Sequence, residues 1–398
     1  MKVLFVHEVS YTKKPIYEMH EFPEYLARNG HEVVFFEFDE GRKFWNKSSY
    51  ASKISSGRVL EGAKVSIERP FQLGIPGVDR LFVTLSSLPK LRKLLKFGGF
   101  DVVVLYAVPT YGIQTILLAK NQRVPVVFRA LDVSHKIRSS WLAPLIKLVE
   151  RYVYRTATLV SANNPAMESY CSSLSGAKIL SAVHYPPLDV DHFKQFNRDE
   201  ELRRSLGIRD TDKVVCYMGT FFYFSGLVQA LTQFASRLNE NPNMKFLLIG
   251  GGDQGRELRE LARTLGVEES VIFTGFVSYK NLPSYLKLAD VAINTLIPSL
   301  VSHVAFPNKV LQYLASDLYV ASTPLEGLSK VFQDSKNIAW GATPGAVMDS
   351  AVDYLANLSS KTDGAGRSRT PEDLSRFSPL ETVRNFEKTL LEISKGKH

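Results

Sequence analysis

Residues 213–252 read KVVCYMGTFFYFSGLVQALTQFASRLNENPNMKFLLIGGG, and this stretch decides the fold. An apolar run, Lys213–Met218, ends at Gly219, a helical pattern follows over Gly226–Asn239, and a second apolar run, Met244–Ile249, ends in three glycines. Short apolar runs that alternate with amphipathic segments are typical of parallel strands joined by helices. The stretch therefore predicts a β-α-β unit of a parallel sheet.

The same alternation continues on both sides of this stretch. Further strands are predicted at Val271–Phe273, Asp290–Asn294 and Leu318–Ala321, and upstream at Lys2–Val6, His31–Phe36, Asp101–Leu105, Pro125–Phe128 and Thr158–Ser161. The pattern predicts an α/β fold with two doubly wound, Rossmann-like domains. Open sheets bind ligands beyond the carboxyl ends of their strands, so we expect the site in a cleft that both domains face.

Three segments follow from this pattern. Residues 1–195 are predicted to form an N-terminal acceptor-binding domain, and residues 196–375 a C-terminal nucleotide-sugar-binding domain. Residues 376–398 are predicted to form a C-terminal helix that crosses back to the N-terminal domain. The ligand classes in these names rest on the motifs described below.

Composition excludes several classes of protein. Hydrophobic residues make up 45% of the 398 residues and charged residues 22%, which is ordinary globular usage and excludes a disordered or fibrous chain. Two cysteines exclude a disulfide scaffold and form no metal motif. No apolar run reaches the roughly 18 residues of a membrane span, and the first residues do not resemble a signal peptide. We expect a cytoplasmic protein, either free or peripheral on the cytoplasmic membrane face.

The net charge of +9 is confined to the first half of the chain. Residues 1–195 contain 26 Lys and Arg against 17 Asp and Glu, whereas residues 196–398 contain 23 of each. A one-sided positive charge indicates an anionic partner: nucleic acid, a lipid surface or a phosphorylated substrate. Nucleic acid is the weakest of these, because no aromatic-basic motif accompanies the charge.

Common cofactor and catalytic motifs are missing from the positions where they would be expected. Neither first strand-to-helix turn carries G-x-G-x-x-G, and the glycines 250–252 are followed by no Walker lysine. The chain has no G-x-S-x-G elbow and no H-E-x-x-H. These absences disfavour nicotinamide, P-loop and serine-hydrolase chemistry.

Four segments of the second half carry a family likeness. They are Val214–Gly219, Phe246–Gly252, Val271–Val277 with the following Leu282-Pro283 and Ala289-Asp290-Val291, and Phe306–Ala315. In order and spacing they resemble the nucleotide-binding domain of GT-B glycosyltransferases, including the family-4 group. The run Lys309-Val310-Leu311-Gln312-Tyr313 is similar to the K-x-x-Q-Y of the xanthan-type β-glucuronosyltransferase, an inverting enzyme that acts on a lipid-linked sugar.

The sequence departs from the family-4 pattern at the donor site. The two glutamates of that group's E-x7-E pair fall on Val304 and Gln312, and its pyrophosphate-clamping Arg and Lys fall on Thr220 and Ser225. The resemblance then implies that the nucleotide-sugar donor, with UDP favoured, is held without a metal and without a cofactor. The residues that it implies for donor binding are Gly219, Thr220, Phe276, Val277, Asn308, Lys309, Gln312 and Tyr313.

A catalytic base is expected at the carboxyl end of a first-half strand. Asp132 lies just past Pro125–Phe128 and is the first candidate; otherwise it caps a helix or pairs with Arg129 or Arg138. His135 is the second candidate. His7 and Glu8 follow the first strand and are candidates for substrate contacts.

Residues 80–96 predict a helix with Leu81, Leu85, Leu88, Leu91 and Leu95 on one face and lysines off it. This pattern is typical either of an interfacial helix at an anionic bilayer or of an ordinary helix that covers a sheet.

The predicted function is sugar transfer from a nucleotide-diphosphate donor to a lipid-linked or cell-surface glycan acceptor. Two alternatives stay open. One is a sugar-nucleotide epimerase of the same fold, which would be revealed by epimer formation from the donor alone. The other is a binding protein derived from a glycosyltransferase, which the missing E-x7-E pair keeps open.

Overall fold

The computed structural model describes residues 1–14, 16–39, 53–75, 78–136, 141–360 and 372–396. The chain forms two compact units. The first comprises Met1–Pro187 together with Arg376–His398, and the second Leu188–Ser375. The chain thus enters the second unit at Leu188, whereas the sequence analysis sets the boundary at residue 195.

The first unit is built on an eight-stranded sheet. Its order is β3-β4-β2-β1-β5-β6-β7-β8, and every pair is parallel except β3 with β4. Five of these strands were predicted to within two residues at each end, and β3, β4 and β8 were not predicted. The strands are β1 (Lys2–Val6), β2 (Glu32–Phe36), β3 (Lys53–Ser55), β4 (Val65–Glu68), β5 (Val102–Leu105), β6 (Val126–Ala130), β7 (Leu159–Ala162) and β8 (Ser181–Val183).

Helices cover both faces of this sheet. Because crossovers between parallel strands are right-handed, the connection from β1 to β2 lies on one face and those leading to β5–β8 lie on the other. Four helices of the second group form a row, in which α2 contacts α3, α3 contacts α4, and α4 contacts α5. The helices are α1 (Glu18–Arg28), α2 (Asp79–Phe97), α3 (Gly112–Asn121), α4 (Ala143–Thr156) and α5 (Pro165–Ser175).

Local chemistry fixes where helices begin and end. The Asn164 side chain accepts the backbone N–H groups of Ala166 and Met167, which starts α5. The same helix ends at Gly176, whose φ of +63° is the left-handed conformation that glycine adopts without strain.

The second unit has a six-stranded parallel sheet of order β11-β10-β9-β12-β13-β14. Its strands are β9 (Lys213–Thr220), β10 (Met244–Gly251), β11 (Val271–Gly275), β12 (Val291–Asn294), β13 (Tyr319–Ser322) and β14 (Ile338–Trp340). Its helices are α6 (Val190–Lys194), α7 (Glu200–Ser205), α8 (Leu227–Leu238), α9 (Gly255–Thr264), α10 (Leu282–Leu286), α11 (Leu300–Val304), α12 (Asn308–Ala315), α13 (Glu326–Ser329) and α14 (Pro344–Ser360).

The last helix, α15 (Pro379–Lys395), belongs to the first unit. Its buried side chains Val383, Phe386 and Leu390 join the core that β1, β2 and α1 form. The rings of Phe386 and Phe22 of α1 lie 4.5 Å apart between centroids. The first unit is therefore completed by a segment that follows the whole second unit in sequence. Within the described ranges, no helix is both long and apolar enough to span a membrane.

Candidate active site

In the second unit, glycines line the carboxyl ends of β9 and β10. Gly219, Gly250 and Gly252 have φ values of +139°, +132° and +148°. A Cβ on Gly250 would lie 2.1 Å from the Gly219 carbonyl oxygen, and one on Gly252 would lie 2.8 Å from the Phe221 amide nitrogen. Only glycine allows the two strand ends to approach this closely next to Thr220.

Lys309 reaches this glycine edge from the first turn of α12. Its ammonium donates a hydrogen bond of 2.8 Å to the Tyr217 hydroxyl, and it lies 4.0 Å from the centroid of the Tyr217 ring. A Cβ on Gly219 would lie 3.3 Å from the same ammonium. The structure thus brings together three of the features expected for donor binding, namely Lys309, Gly219 and Thr220. A lysine ammonium at the carboxyl ends of two strands is suited to a phosphate.

Tyr313 does not have the position that was expected of it. Its side chain is fully buried, and its hydroxyl accepts a hydrogen bond of 2.7 Å from the Met218 amide. Because the hydroxyl is already engaged and solvent does not reach the ring, Tyr313 positions β9 and does not contact a donor. This corrects the prediction made for this residue.

The other candidates of the second unit lie near the same edge. Phe276 follows β11, whose Gly275 pairs with Gly250, and its exposed ring lies against Gly251. Val277, next in the chain, is half-buried. Asn308 and Gln312 are half-buried residues of α12, and Gln312 is three positions beyond Lys309 and so on the same side of the helix.

In the first unit, Asp132 follows β6 and is exposed to solvent. In the described part of the chain its carboxylate has no hydrogen bond or ion pair, and it caps no helix. The alternative pairing with Arg129 is wrong, because that guanidinium binds Glu18. Arg138 lies outside the described residues. Although its side chain reaches solvent, the protein atoms that surround Asp132 reduce its hydration and, together with the Glu18 carboxylate, raise the pKa of Asp132 to about 6.

A buried network lies beside Asp132. Glu18 receives two hydrogen bonds from the Arg129 guanidinium, of 2.7 and 2.8 Å, and one of 3.3 Å from the Tyr106 hydroxyl. Arg129 also donates to the Ser161 hydroxyl. The network fixes the carboxyl ends of β5, β6 and β7 around Asp132.

His7 faces the same network from the end of β1. Its ring stacks on Tyr106 at 4.9 Å between centroids, and its Nε2 lies 3.4 Å from the Tyr17 hydroxyl. Burial, followed by the charges of His20 and Lys14, lowers the pKa of His7 to about 3. His7 is therefore neutral at physiological pH, and because its Nδ1 accepts the Glu8 amide at 2.8 Å, its ring proton lies on Nε2, the one nitrogen that could donate to a sugar hydroxyl.

Glu8 and His135 are engaged within the fold. The buried Glu8 carboxylate accepts the Thr110 amide at 2.7 Å and pairs with Arg80 at 3.0 Å, so it joins β1 to the starts of α2 and α3. His135 is also buried, and its Nδ1 lies 2.7 Å from the Glu150 carboxylate of α4. These contacts disfavour Glu8 as a substrate contact and His135 as the base, and leave Asp132 as the candidate base.

Sequence reasoning missed the residues that hold the candidates in place. Tyr217 lies inside a strand, where a tyrosine is expected in the core, and Glu18 is 111 positions from its partner Arg129. The only signal for Glu18 is a carboxylate at the first position of a helix. Among the described residues, no group of three or more His, Cys, Asp or Glu side chains is placed to hold a metal ion.

Comparisons with known proteins agree with this architecture. Residues 198–368 match the family described as "Glycosyl transferases group 1", and residues 18–182 match the "Glycosyl transferase 4-like domain". An uncharacterized glycosyltransferase of Methanocaldococcus jannaschii is 26% identical over 327 residues, which are 80% of this chain and 78% of that protein. The alpha-monoglucosyldiacylglycerol synthase of Streptococcus pneumoniae is 25% identical over 60% of this chain and 59% of its own length.

A solved structure shows the same fold. HepE of Anabaena, in complex with UDP, superimposes with a TM-score of 0.73 at 16% identity, over 98% of this chain and 100% of that chain. The predicted GT-B fold, with two α/β units on parallel sheets, is confirmed. Since the two family matches fall one on each half and the fold is shared throughout, the chain belongs to the glycosyltransferases of the GT-B fold.

Proposed function

We propose that this glycosyltransferase transfers a sugar from a UDP-sugar to a lipid-linked or cell-surface glycan precursor in polysaccharide biosynthesis. The observation that carries the proposal is the Lys309 ammonium beside the glycine edge of β9 and β10. That arrangement places a positive charge at the carboxyl ends of two parallel strands, beside glycines that leave room for a ligand's phosphates, which suits a nucleoside diphosphate.

The second unit stabilises the leaving group. As the bond from the sugar to the diphosphate breaks, negative charge grows on the phosphate oxygens. Lys309 opposes that charge directly, and the amides at the start of α12 add the positive end of the helix dipole. Gln312, on the same side of α12, is a donor and an acceptor for ribose hydroxyls. The UDP bound in the HepE structure supports uridine as the nucleoside of the donor.

The first unit holds the acceptor and supplies the base. Asp132 is solvent-accessible, has no hydrogen bond among the described residues, and its raised pKa of about 6 leaves it mostly ionised at pH 7 while strengthening it as a base. It accepts the proton of the attacking hydroxyl. His7 and Tyr17 offer neutral hydrogen-bonding groups for the other hydroxyls of the acceptor.

A lipid-linked acceptor is supported by two observations. The synthase of Streptococcus pneumoniae bears the name of a glycolipid-forming enzyme, and the excess positive charge of this chain lies in its first half. A lipid-linked acceptor requires the enzyme to work at a membrane surface, and we propose the cytoplasmic face, with peripheral attachment.

The test is a panel of nucleotides and nucleotide sugars, assayed by thermal denaturation. A ligand that binds only the folded protein stabilises it by about 2.7 kcal/mol at a hundred times its Kd. We expect UDP and one UDP-sugar to raise the Tm more than GDP does. The active donor is then incubated with lipid extract, and transfer of labelled sugar to the organic phase is measured.

Two outcomes would contradict the proposal. If no nucleoside diphosphate raises the Tm, the second unit is not a donor site. If the donor alone is converted to an epimer, the reaction is epimerisation and not transfer.

A further inference from the structure

The helices α2, α3 and α4 expose apolar side chains on the side turned away from the sheet. Leu85 of α2 is 71% exposed, Leu148 of α4 is 64% exposed, and Trp141, just before α4, is 88% exposed. Single exposed leucines are ordinary, but such residues on three neighbouring helices form an extended surface. The set comprises Val78, Leu81, Leu85, Leu88, Ile113, Leu117, Trp141, Leu145, Leu148 and Tyr152, and we call it the apolar face.

The spacing within each helix aligns these side chains. Leu145, Leu148 and Tyr152 are separated by three and four positions, so at 3.6 residues per turn they lie within about 60° of one another. Leu81, Leu85 and Leu88 of α2 have the equivalent spacing. The predicted five-leucine stripe of α2 is divided, however, because Leu91 and Leu95 are buried. Only its first half faces solvent, and α3 and α4 supply the rest of the surface.

The exposed charged residues of the same three helices are all positively charged. Every residue of α2, α3 and α4 is described, and their only acidic residues, Asp79 and Glu150, are buried. Asp79 accepts the amides of Leu73 and Gly74, and Glu150 accepts from Tyr154 and Ser134 and pairs with His135. The exposed charged residues are all cationic: Arg92, Lys93, Lys96, Lys120, Lys147, Arg151 and Arg155.

The helix on the other side of the sheet differs. The exposed side chains of α15 carry both signs, as with Glu381 and Arg384, or Lys388 and Glu392. One exposed leucine, Leu380, stands at its start with 70% exposure. The α2–α4 row thus combines extended apolar surface with uniform positive charge, and α15 has neither.

We propose that the apolar face, with its surrounding cations, is the surface that contacts an anionic lipid bilayer. The leucines and Trp141 enter the boundary between headgroups and acyl chains, while the lysines and arginines remain at the level of the lipid phosphates. A second copy of the chain is disfavoured as the occupant, because it would place the same cations against one another. Nucleic acid would use the charge but not the leucines. The inference rests on the proposed function for the identity of the acceptor, and adds the surface by which the enzyme reaches it.

The test is vesicle flotation of the full chain. Wild type should float with vesicles that contain phosphatidylglycerol and not with pure phosphatidylcholine, and added salt should release it, because screening weakens the attraction. The double variant Leu85→Glu/Leu148→Glu should bind at least about tenfold more weakly, because two inserted leucines are replaced by charges that the lipid repels. The matched control is Leu380→Glu, which makes the same change at an equally exposed leucine on α15 and should bind as wild type does.

Three results would overturn the inference. They are equal flotation of the double variant and wild type, failure of wild type to bind vesicles of any composition, and a dimer in vesicle-free solution that the double variant dissociates. Thermal stabilisation by UDP is measured on all variants, which verifies folding. Loss of UDP stabilisation with vesicle binding intact would remove the proposed function and leave this inference standing, and the reverse result would do the opposite.

Discussion

The Lys309 ammonium lies 4.0 Å from the centroid of the Tyr217 ring and donates a hydrogen bond of 2.8 Å to the hydroxyl of the same residue. Tyr217 is fully buried in β9, so one rigid side chain holds a flexible one in two ways. The ammonium is thereby fixed beside Gly219 before any ligand arrives, and little side-chain entropy remains to be lost on binding.

Lys309→Ala should weaken UDP binding by about 1.5–3 kcal/mol, the range for hydrogen bonds that involve a charge. Isothermal titration calorimetry measures the change. Lys287→Ala is the matched control. Lys287 pairs with Asp317 and lies shortly before β12, so it is at the amino ends of the strands, away from the glycines of β9 and β10. Equal affinity of Lys309→Ala and wild type for UDP would remove Lys309 from the donor site.

Tyr217→Phe keeps the ring under the ammonium and removes only the hydroxyl. We expect a smaller loss of UDP affinity, about 0.5–1.5 kcal/mol, with no loss for uridine, which has no phosphate. The comparison separates positioning from folding, because a general disturbance of β9 would weaken both ligands. A parallel loss for uridine would show that the hydroxyl supports the fold alone.

The neighbours Gln312 and Tyr313 should respond in opposite ways. Tyr313→Phe leaves the buried Met218 amide without its acceptor and should lower the free energy of unfolding by about 1–3 kcal/mol. Gln312→Ala should leave stability unchanged and weaken uridine binding. Urea denaturation and calorimetry provide the two measurements. A stable Tyr313→Phe variant with poor uridine affinity would return Tyr313 to the donor site.

Asp132→Asn should lower kcat by roughly 10²–10⁴-fold, the usual contribution of a general base, and leave UDP affinity unchanged. In wild type, kcat/KM should fall as pH drops through about 6, because protonation removes the base. Turnover above about a third of wild type at saturating substrates would exclude Asp132 as the base.

The stability of Asp132→Asn should differ from wild type in a pH-dependent way. The pKa of Asp132 in the folded protein, about 6, is above its ordinary value of 3.8, so the folded state holds this proton more tightly than the unfolded chain. Wild type therefore loses stability as pH rises from about 4 to 6, and the asparagine variant does not. The two proteins should be equally stable below pH 4, and the variant should be more stable at pH 7. A variant less stable than wild type at pH 7 would contradict this account.

The sequence predicts the central strands well and the edges poorly. The prediction for β1 coincides with the strand, since its residues are buried on both faces and form a continuous apolar run. Strands β3, β8 and β14 have three residues each, and their stability comes from pairing with a neighbour, which leaves little local pattern. The 17-residue helix α14 was missed although it packs in the core of the second unit.

For the candidate site, the motif identified Lys309 as a candidate donor-binding residue, but it did not identify Tyr217 as the residue that holds the Lys309 ammonium. Tyr217 and Lys309 are 92 positions apart, and their contact arises only when β9 and α12 pack together. The raised pKa of Asp132 likewise depends in part on the carboxylate of Glu18, which lies on α1. Residue type and local spacing identify candidate functional side chains. The residues that position them or shift their pKa come into contact with them only through tertiary packing.

The return of α15 to the first unit imposes an order on biosynthesis. Ribosomes make the chain from its N-terminus, so the second unit, whose residues are contiguous, is fully synthesised while the first still lacks Val383, Phe386 and Leu390. The core of the first unit therefore stays incomplete beside Phe22 until residues 379–395 have been synthesised. Folding of the earlier half is in this way coupled to synthesis of α15, and a truncated product lacking α15 would expose core surface for quality-control proteases to recognise.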